Sequence, residues 1–218
     1  MQYWHDHIFI TKEGEKLRKI IVSLMFLFII SACSHEEDID TKEDKSLSSQ
    51  HVEVPSEIFT SEKQNSVIDE EEMKQSIKTY LDSHEELDNA SSPFQDIIYE
   101  GKELNEEELE KFAQITKLTK ENDENFTNYL SNNTLPEDYQ VEAERISQYI
   151  TAYNEVLYEL DEILRDFSDD GNKGEFPKVD ILSIMTKMDV VNGREQKTIE
   201  DFLEKKEIKT KAFGRDNN

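Results

Sequence analysis

Ala143, Ile146, Ile150, Tyr153, Leu157, Leu160, Leu164 and Phe167 follow one another at alternating intervals of three and four residues. Side chains at that spacing meet along one stripe of an α-helix, whereas the period of two in a strand scatters them over both faces. The stripe predicts a helix from Glu137 to Phe167, roughly 46 Å long, with Pro136 in its first turn. A stripe this long needs a partner of matching length. The preceding segment supplies one, with Leu109, Phe112, Ala113, Ile115, Leu118, Phe126, Tyr129 and Leu130 on one face. Its start carries a capping box, Asn105 with Glu108, and Leu104 and Leu109 form a hydrophobic staple. Asn132-Asn133 stops it, and the short connection to Pro136 predicts an antiparallel helical hairpin closed inside one chain.

The same periodicity extends to both sides. Met73, Ile77, Tyr80, Leu81 and His84 share a face of a helix read from Val67 to Asp88, with Ser66 and Asp69 as a capping pair and His84 at or near the surface. Pro93 disfavours helical angles at Ser92 and is expected to end that helix before Ser91. Phe94 to Gly101 then reads as a short helix or a packed loop. Ser168 to Gly174 reads as a loop, and Val179, Leu182, Ile184, Met185 and Met188 as a fourth helix ended by Asn192-Gly193. Glu195 to Lys206 makes a fifth, with Ile199, Phe202 and Leu203 inward, and the chain is expected to fray after Phe213. The expected fold is all-α, a small bundle of about four to five helices built on the long hairpin. Six Gly and four Pro are too few for an all-β chain with many tight turns.

The chain before the bundle has a different character. Ile20 to Ile30 is apolar except for Ser23, with Lys16, Arg18 and Lys19 ahead of it. It is too short to cross a bilayer as a stable helix, which needs about 20 apolar residues, and has the length of a signal-peptide core. Ile30, Ser31, Ala32 and Cys33 follow, a pattern that resembles the bacterial lipobox. That resemblance implies diacylglycerol on the Cys33 thiol and peptidase cleavage after Ala32. The residues ahead of Leu17 fit a leader poorly, and a start at Leu17 would leave an ordinary short signal. The expected organisation is a signal peptide over 1–32 and a lipidated cysteine with a disordered acidic tether over 33–66. A helical domain over 67–213 and a disordered tail over 214–218 complete it. From Ser34 to Asn65 the chain is polar, acidic and broken by Pro55. A flexible chain of that length has a root-mean-square reach of roughly 30 Å.

Charge and residue types exclude several activities. The net charge is −25, which repels nucleic acid and anionic headgroups. One cysteine permits neither an internal disulfide nor a cysteine metal cluster. His5 and His7 form a His-x-His pair, but within the leader. Asp169, Asp170 and Asn172 invite a calcium reading, yet their spacing lacks the alternating ligands, the glycine and the final glutamate of an EF-hand. No Ser/His/Asp arrangement, phosphate-binding glycine loop or cysteine nucleophile is legible. No catalytic residue, metal or cofactor is therefore expected.

Asn122-Asp123-Glu124-Asn125-Phe126 lies in the second helix of the hairpin. With the lipobox and an acidic helical body of this size, it resembles the NDxxF-motif lipoproteins of staphylococci and their low-GC relatives. The match rests on Asn122, Asp123 and Phe126. The resemblance implies a Gram-positive surface lipoprotein and carries over no catalytic residue. Asn122 and Phe126, four apart, share a face. The motif is expected to make a polar contact or a kink inside the bundle, with Asp123 capping a new turn, or else to contact a partner. The function expected from all this is a non-enzymatic binding or envelope-assembly protein on the outer face of the plasma membrane, held by lipid on Cys33. Its partner would be an envelope or secreted protein. A passive surface antigen or coat protein is the alternative, with a substrate-binding carrier or an enzyme behind it. The heptad stripe leaves the oligomeric state open.

Overall fold

The computed structural model describes Ser49, residues 52–170 and residues 181–217, and its regular elements over these are all helical. The elements in chain order are α1 (Glu70–Tyr99), α2 (Glu106–Ser131), α3 (Glu137–Asp170), α4 (Ile181–Met188) and α5 (Gly193–Lys205), then a 3-10 segment (Ala212–Asn217). The first three pack on one another; α4 and α5 lie against α3, and the 3-10 segment returns to α1. The leader, Cys33 and the first part of the tether, with Asn172 of the acidic turn, lie outside the described residues. None of the helices among the described residues is long and apolar enough to cross a membrane.

The core is two apolar clusters with a polar layer between them. The larger gathers Met73, Ile77, Tyr80, Phe126, Tyr129, Ile146 and Ile150 with Ile199, Phe202 and Leu203 of α5. The smaller gathers Leu87, Phe94, Ile98, Leu104, Phe112 and Ile115. Between them α1 brings His84, α2 brings Thr119, Asn122 and Asp123, and α3 brings Asn154, all buried. The heptad stripe is buried at Ala143, Ile146 and Ile150 and half-buried at Tyr153, Leu157 and Leu160. Leu164 and Phe167 lie on helical backbone, outside the residues whose side chains are described.

Several boundaries differ from the sequence reading. Helix α1 runs through Pro93 instead of ending before it. Proline costs one backbone hydrogen bond, but Phe94 and Ile98 continue the buried stripe of Leu87 and fill the smaller cluster. The helix ends at Gly101, whose φ of 72° suits glycine, with Lys102 N–H bonding back to the Ile97 carbonyl. Its cap is Asp69 alone, accepting from Glu72 N–H. The capping box of Asn105 and Glu108 is formed, but Leu109 is 43% exposed while Leu104 is buried in the smaller cluster. Ser168 to Asp170 continue α3 where a loop was expected. Asn192 does not stop a helix but starts one: its side chain accepts from Arg194 and Glu195 N–H at the head of α5.

The largest departure lies ahead of α1. The tether was expected to stay disordered to residue 66, yet from Val52 onward the chain is a strap held on the bundle. Val52, Val54 and Ile58 pack on the smaller cluster, and Phe59 is buried in the larger. Polar composition hid this, because the strap is held mainly by side chains of α2 bonding to its backbone. The carboxyl end is held as well. Ile208, Thr210 and Ala212 are buried. Asp82 accepts from Thr210 Oγ1 at 2.8 Å and from Lys211 N–H at 2.7 Å. The 3-10 turn continues past Phe213, where fraying was expected.

The role of Asn192 gives a first prediction. Asn192→Ala should destabilise the chain by about 1 kcal/mol through loss of the α5 cap. Urea unfolding followed by circular dichroism checks this; an unchanged midpoint would contradict the cap.

Candidate functional site

The motif Asn122-Asp123-Glu124-Asn125-Phe126 sits where α1, α2, α3 and the strap meet. Asn122 has 0% of its surface exposed. A buried primary amide must find both an acceptor and a donor. Its Oδ1 accepts from the Phe59 N–H at 2.9 Å, and its Nδ2 donates to the Tyr80 carbonyl at 3.3 Å. Asn125, three residues on, donates from Nδ2 to the Phe59 carbonyl at 3.0 Å. Both polar groups of one strap residue are thus held by two amides of α2. Just past α2, in its connection to α3, Asn133 does the same for the strap near its junction with α1. It accepts from Ser66 N–H and donates to the Lys63 carbonyl, each at 3.0 Å.

Phe126 supplies the apolar half of the site. Its ring stacks on Tyr80 at 4.1 Å between centroids, 7° from parallel. The Phe59 ring meets Phe126 edge-on at 5.2 Å and Tyr129 at 5.4 Å. Burying Phe59 contributes about 2–3 kcal/mol, and each amide bond contributes about 1 kcal/mol. Ordering each strap residue costs about 1–2 kcal/mol, so the strap is among the first parts expected to open.

Asp123 joins the remaining helix. Its Oδ1 accepts from the Tyr80 hydroxyl at 2.8 Å and its Oδ2 from Asn154 Nδ2 of α3 at 2.9 Å. Helix α2 passes through Asp123 unbroken, so the residue caps no new turn. Burial pushes its carboxyl up to about 6, against the pull of Asn154 and Tyr80 toward the charged form. Burial, followed by the charge of Asp123, holds the Tyr80 hydroxyl well above its usual range.

Next to this knot lies a second polar group that sequence reasoning missed. Burial, with Glu85 nearby, pushes Asp88 up to about 6, while its Oδ1 accepts from Tyr153 at 3.4 Å. His84, expected at or near the surface, is buried beside Tyr153, with ring centroids 5.7 Å apart. Its Nδ1 lacks a hydrogen-bond partner, and burial pushes the imidazole down to about 4. Burial raises Tyr99, with Asp161 second among the causes. Asp88, Ser91, Gln95, Thr116, Thr119, Asn154 and Tyr158 line a cavity of about 10 Å³, near the lower limit of what can hold one water. A trace of this layer is present in the sequence: Ser147, Asn154 and Asp161, all buried, recur every seven residues beside the apolar stripe.

Two acids with raised pKa in a buried site are a pattern found at catalytic centres and also in structural networks. Here Asp123 is engaged by Tyr80 and Asn154, Asp88 by Tyr153, and the adjoining cavity admits no organic substrate. An accessible depression among the described residues is a groove of about 610 Å³ between strap, α1 and tail. Glu53, Glu57, Glu85 and Glu86 line it, with Lys211 paired to Glu86 at 2.6 Å. No group of three or more His, Cys, Asp or Glu among the described residues is placed to hold a metal.

The shift on Asp123 carries a pH signature. A carboxyl at about 6 in the fold against 3.8 when exposed binds its proton more tightly when folded. Its contribution to stability therefore grows as pH falls through 6 toward 4 and is lost as pH rises. Asparagine at 123 has no charge to lose. The melting temperature of Asp123→Asn relative to wild type should be highest near pH 7 and should fall as pH is lowered to 5. Calorimetry at both pH values checks this, and a constant difference would contradict it.

No protein-family model, curated protein or solved structure matches this chain, so the reading of the site rests on its own geometry.

Proposed function

We propose that the chain is a lipid-anchored surface protein whose helical domain works by binding. The observation that carries this reading is the run from Ile20 to Ile30 with its basic flank, followed directly by Ile30-Ser31-Ala32-Cys33. Two acyl chains on one cysteine give stable attachment, at about 0.8 kcal/mol per buried CH₂. The strap refines the picture of the tether. Residues 34–48 separate Cys33 from Ser49, the first residue bonded to the bundle, a covalent reach of at most roughly 50 Å.

Binding is favoured over chemistry by how the polar groups are used. The acids with raised pKa hold helices together around a space at the lower limit for one water. The open groove carries glutamates on two sides, from the strap and from α1, and suits a basic surface on an envelope or secreted protein. The resemblance to NDxxF-motif lipoproteins agrees with this location.

Cys33→Ala tests the anchor. The wild-type chain, expressed in a Gram-positive host, should enter the detergent phase and incorporate labelled fatty acid; Cys33→Ala should do neither. Equal partition of the two would sink the anchored reading. Cross-linking on intact cells then tests binding. One dominant partner, lost with Cys33→Ala, is the expected result. A diffuse background would leave a passive coat protein as the better description.

A further inference from the structure

Asn122 and Asn125 grip the N–H and the carbonyl of Phe59, and Asn133 grips Ser66 and Lys63 in the same way. One face of α2, continued by the turn after it, therefore reads a peptide backbone, with an aromatic pocket of Phe126 and Tyr129 for one ring. Backbone reading of this kind is indifferent to whether the peptide arrives from the same chain or from another. Thr60 to Asn65, the stretch between the gripped ring and the junction with α1, is exposed throughout. Within it Asn65 adopts φ of 51°, a conformation that few residues other than glycine accept. Below it the base is fixed, since Ile68 N–H bonds to Thr134 and Thr134 N–H to Ser66. Lys63 and Asn65 are already held, by the Asn133 side chain and the Asn132 carbonyl, so the joint between ring and base is the exposed run Thr60 to Glu62, which spans up to roughly 10 Å when straightened.

We propose that this face of α2 is a docking surface for the strap of a second copy, so that two chains exchange the segment from Ser49 to Phe59. Reciprocal exchange restores the contacts of the exchanged segment, because each pocket receives a Phe59 and each Asn122–Asn125 pair receives a peptide. What opposes it is the entropy of association, so the exchanged dimer grows with protein concentration. The groove of Glu53, Glu57, Glu85 and Glu86 is then built from two chains, because Glu53 and Glu57 travel with the strap.

The far end of the strap provides the test. Ser49 Oγ donates to Glu108 Oε1 at 2.6 Å, across the moving and fixed parts. The full chain with Cys33→Ala, Ser49→Cys and Glu108→Cys is made in unlabelled and ¹⁵N forms, mixed, and oxidised at low and high concentration. Dilute protein should give bonds between positions 49 and 108 within one chain. Concentrated protein should give a covalent dimer in which about half of these bonds join a light to a heavy chain. Bonds confined to one chain at every concentration would overturn the proposal, and so would failure of the bond to form. A second measurement leaves the α2 cap intact. A peptide of residues 49–62 should raise the melting temperature of the full chain carrying Phe59→Ala, and the same peptide with Phe59→Ala should not. No shift with the intact peptide would overturn the proposal. Neither experiment involves the lipid, so failure here is separable from failure of the anchored reading.

Discussion

An amide and a carboxyl placed side by side in a helical core, Asn122 and Asp123, dictate much of what surrounds them. Neither can face water, and each lone pair or N–H left alone would cost about 1–3 kcal/mol. The amide draws in the strap and the carbonyl of α1; the carboxyl draws in the hydroxyl of α1 and the amide of α3. Four segments distant in sequence thus meet at two adjacent residues. Apolar packing alone would tolerate one helix sliding a turn along another, whereas a satisfied polar layer tolerates one register.

This layer also explains why the core comes in two parts. Leu87, Phe94 and Phe112 on one side and Ile77, Phe126 and Ile146 on the other are separated by His84, Thr119, Asn122, Asp123 and Asn154. The strap follows the same division: Val52, Val54 and Ile58 cover the smaller cluster and Phe59 enters the larger. The surface contributes less. Many of its ion pairs join neighbours four apart on one helix, such as Lys117 with Glu121 and Lys197 with Asp201, and water and salt screen such exposed pairs. The tertiary ties that matter more are Lys187 to Glu155 and Glu159, and Arg145 to Glu195, which dock α4 and α5 on α3.

The helices were legible because each carries an apolar stripe that needs no tertiary information: the α3 seam from Ala143 to Ile150, the capping box of Asn105 and the inward face of α5 stand in the structure. The ends were less legible where tertiary packing overrides a local signal. Pro93 is carried through by Phe94 and Ile98, and Asn192 faces forward into α5. The strap was hidden for a different reason. Hydrophobic periodicity cannot report a segment held by asparagines of another element, and a single buried ring every few residues looks like a linker. In a chain with 50 acids, Asp88 and Asp123 were equally inconspicuous, because burial, not identity, sets them apart.

The central claim is that Asn122 and Phe59 act as one unit joining strap to bundle. A double-mutant cycle in urea with Phe59→Ala, Asn122→Ala and the pair measures this directly. Once the ring is gone the strap loosens, and losing the amide should then cost less. A coupling of about 1–2 kcal/mol is the predicted result. Costs that add within about 0.5 kcal/mol would mean that the two act independently, and would contradict the account.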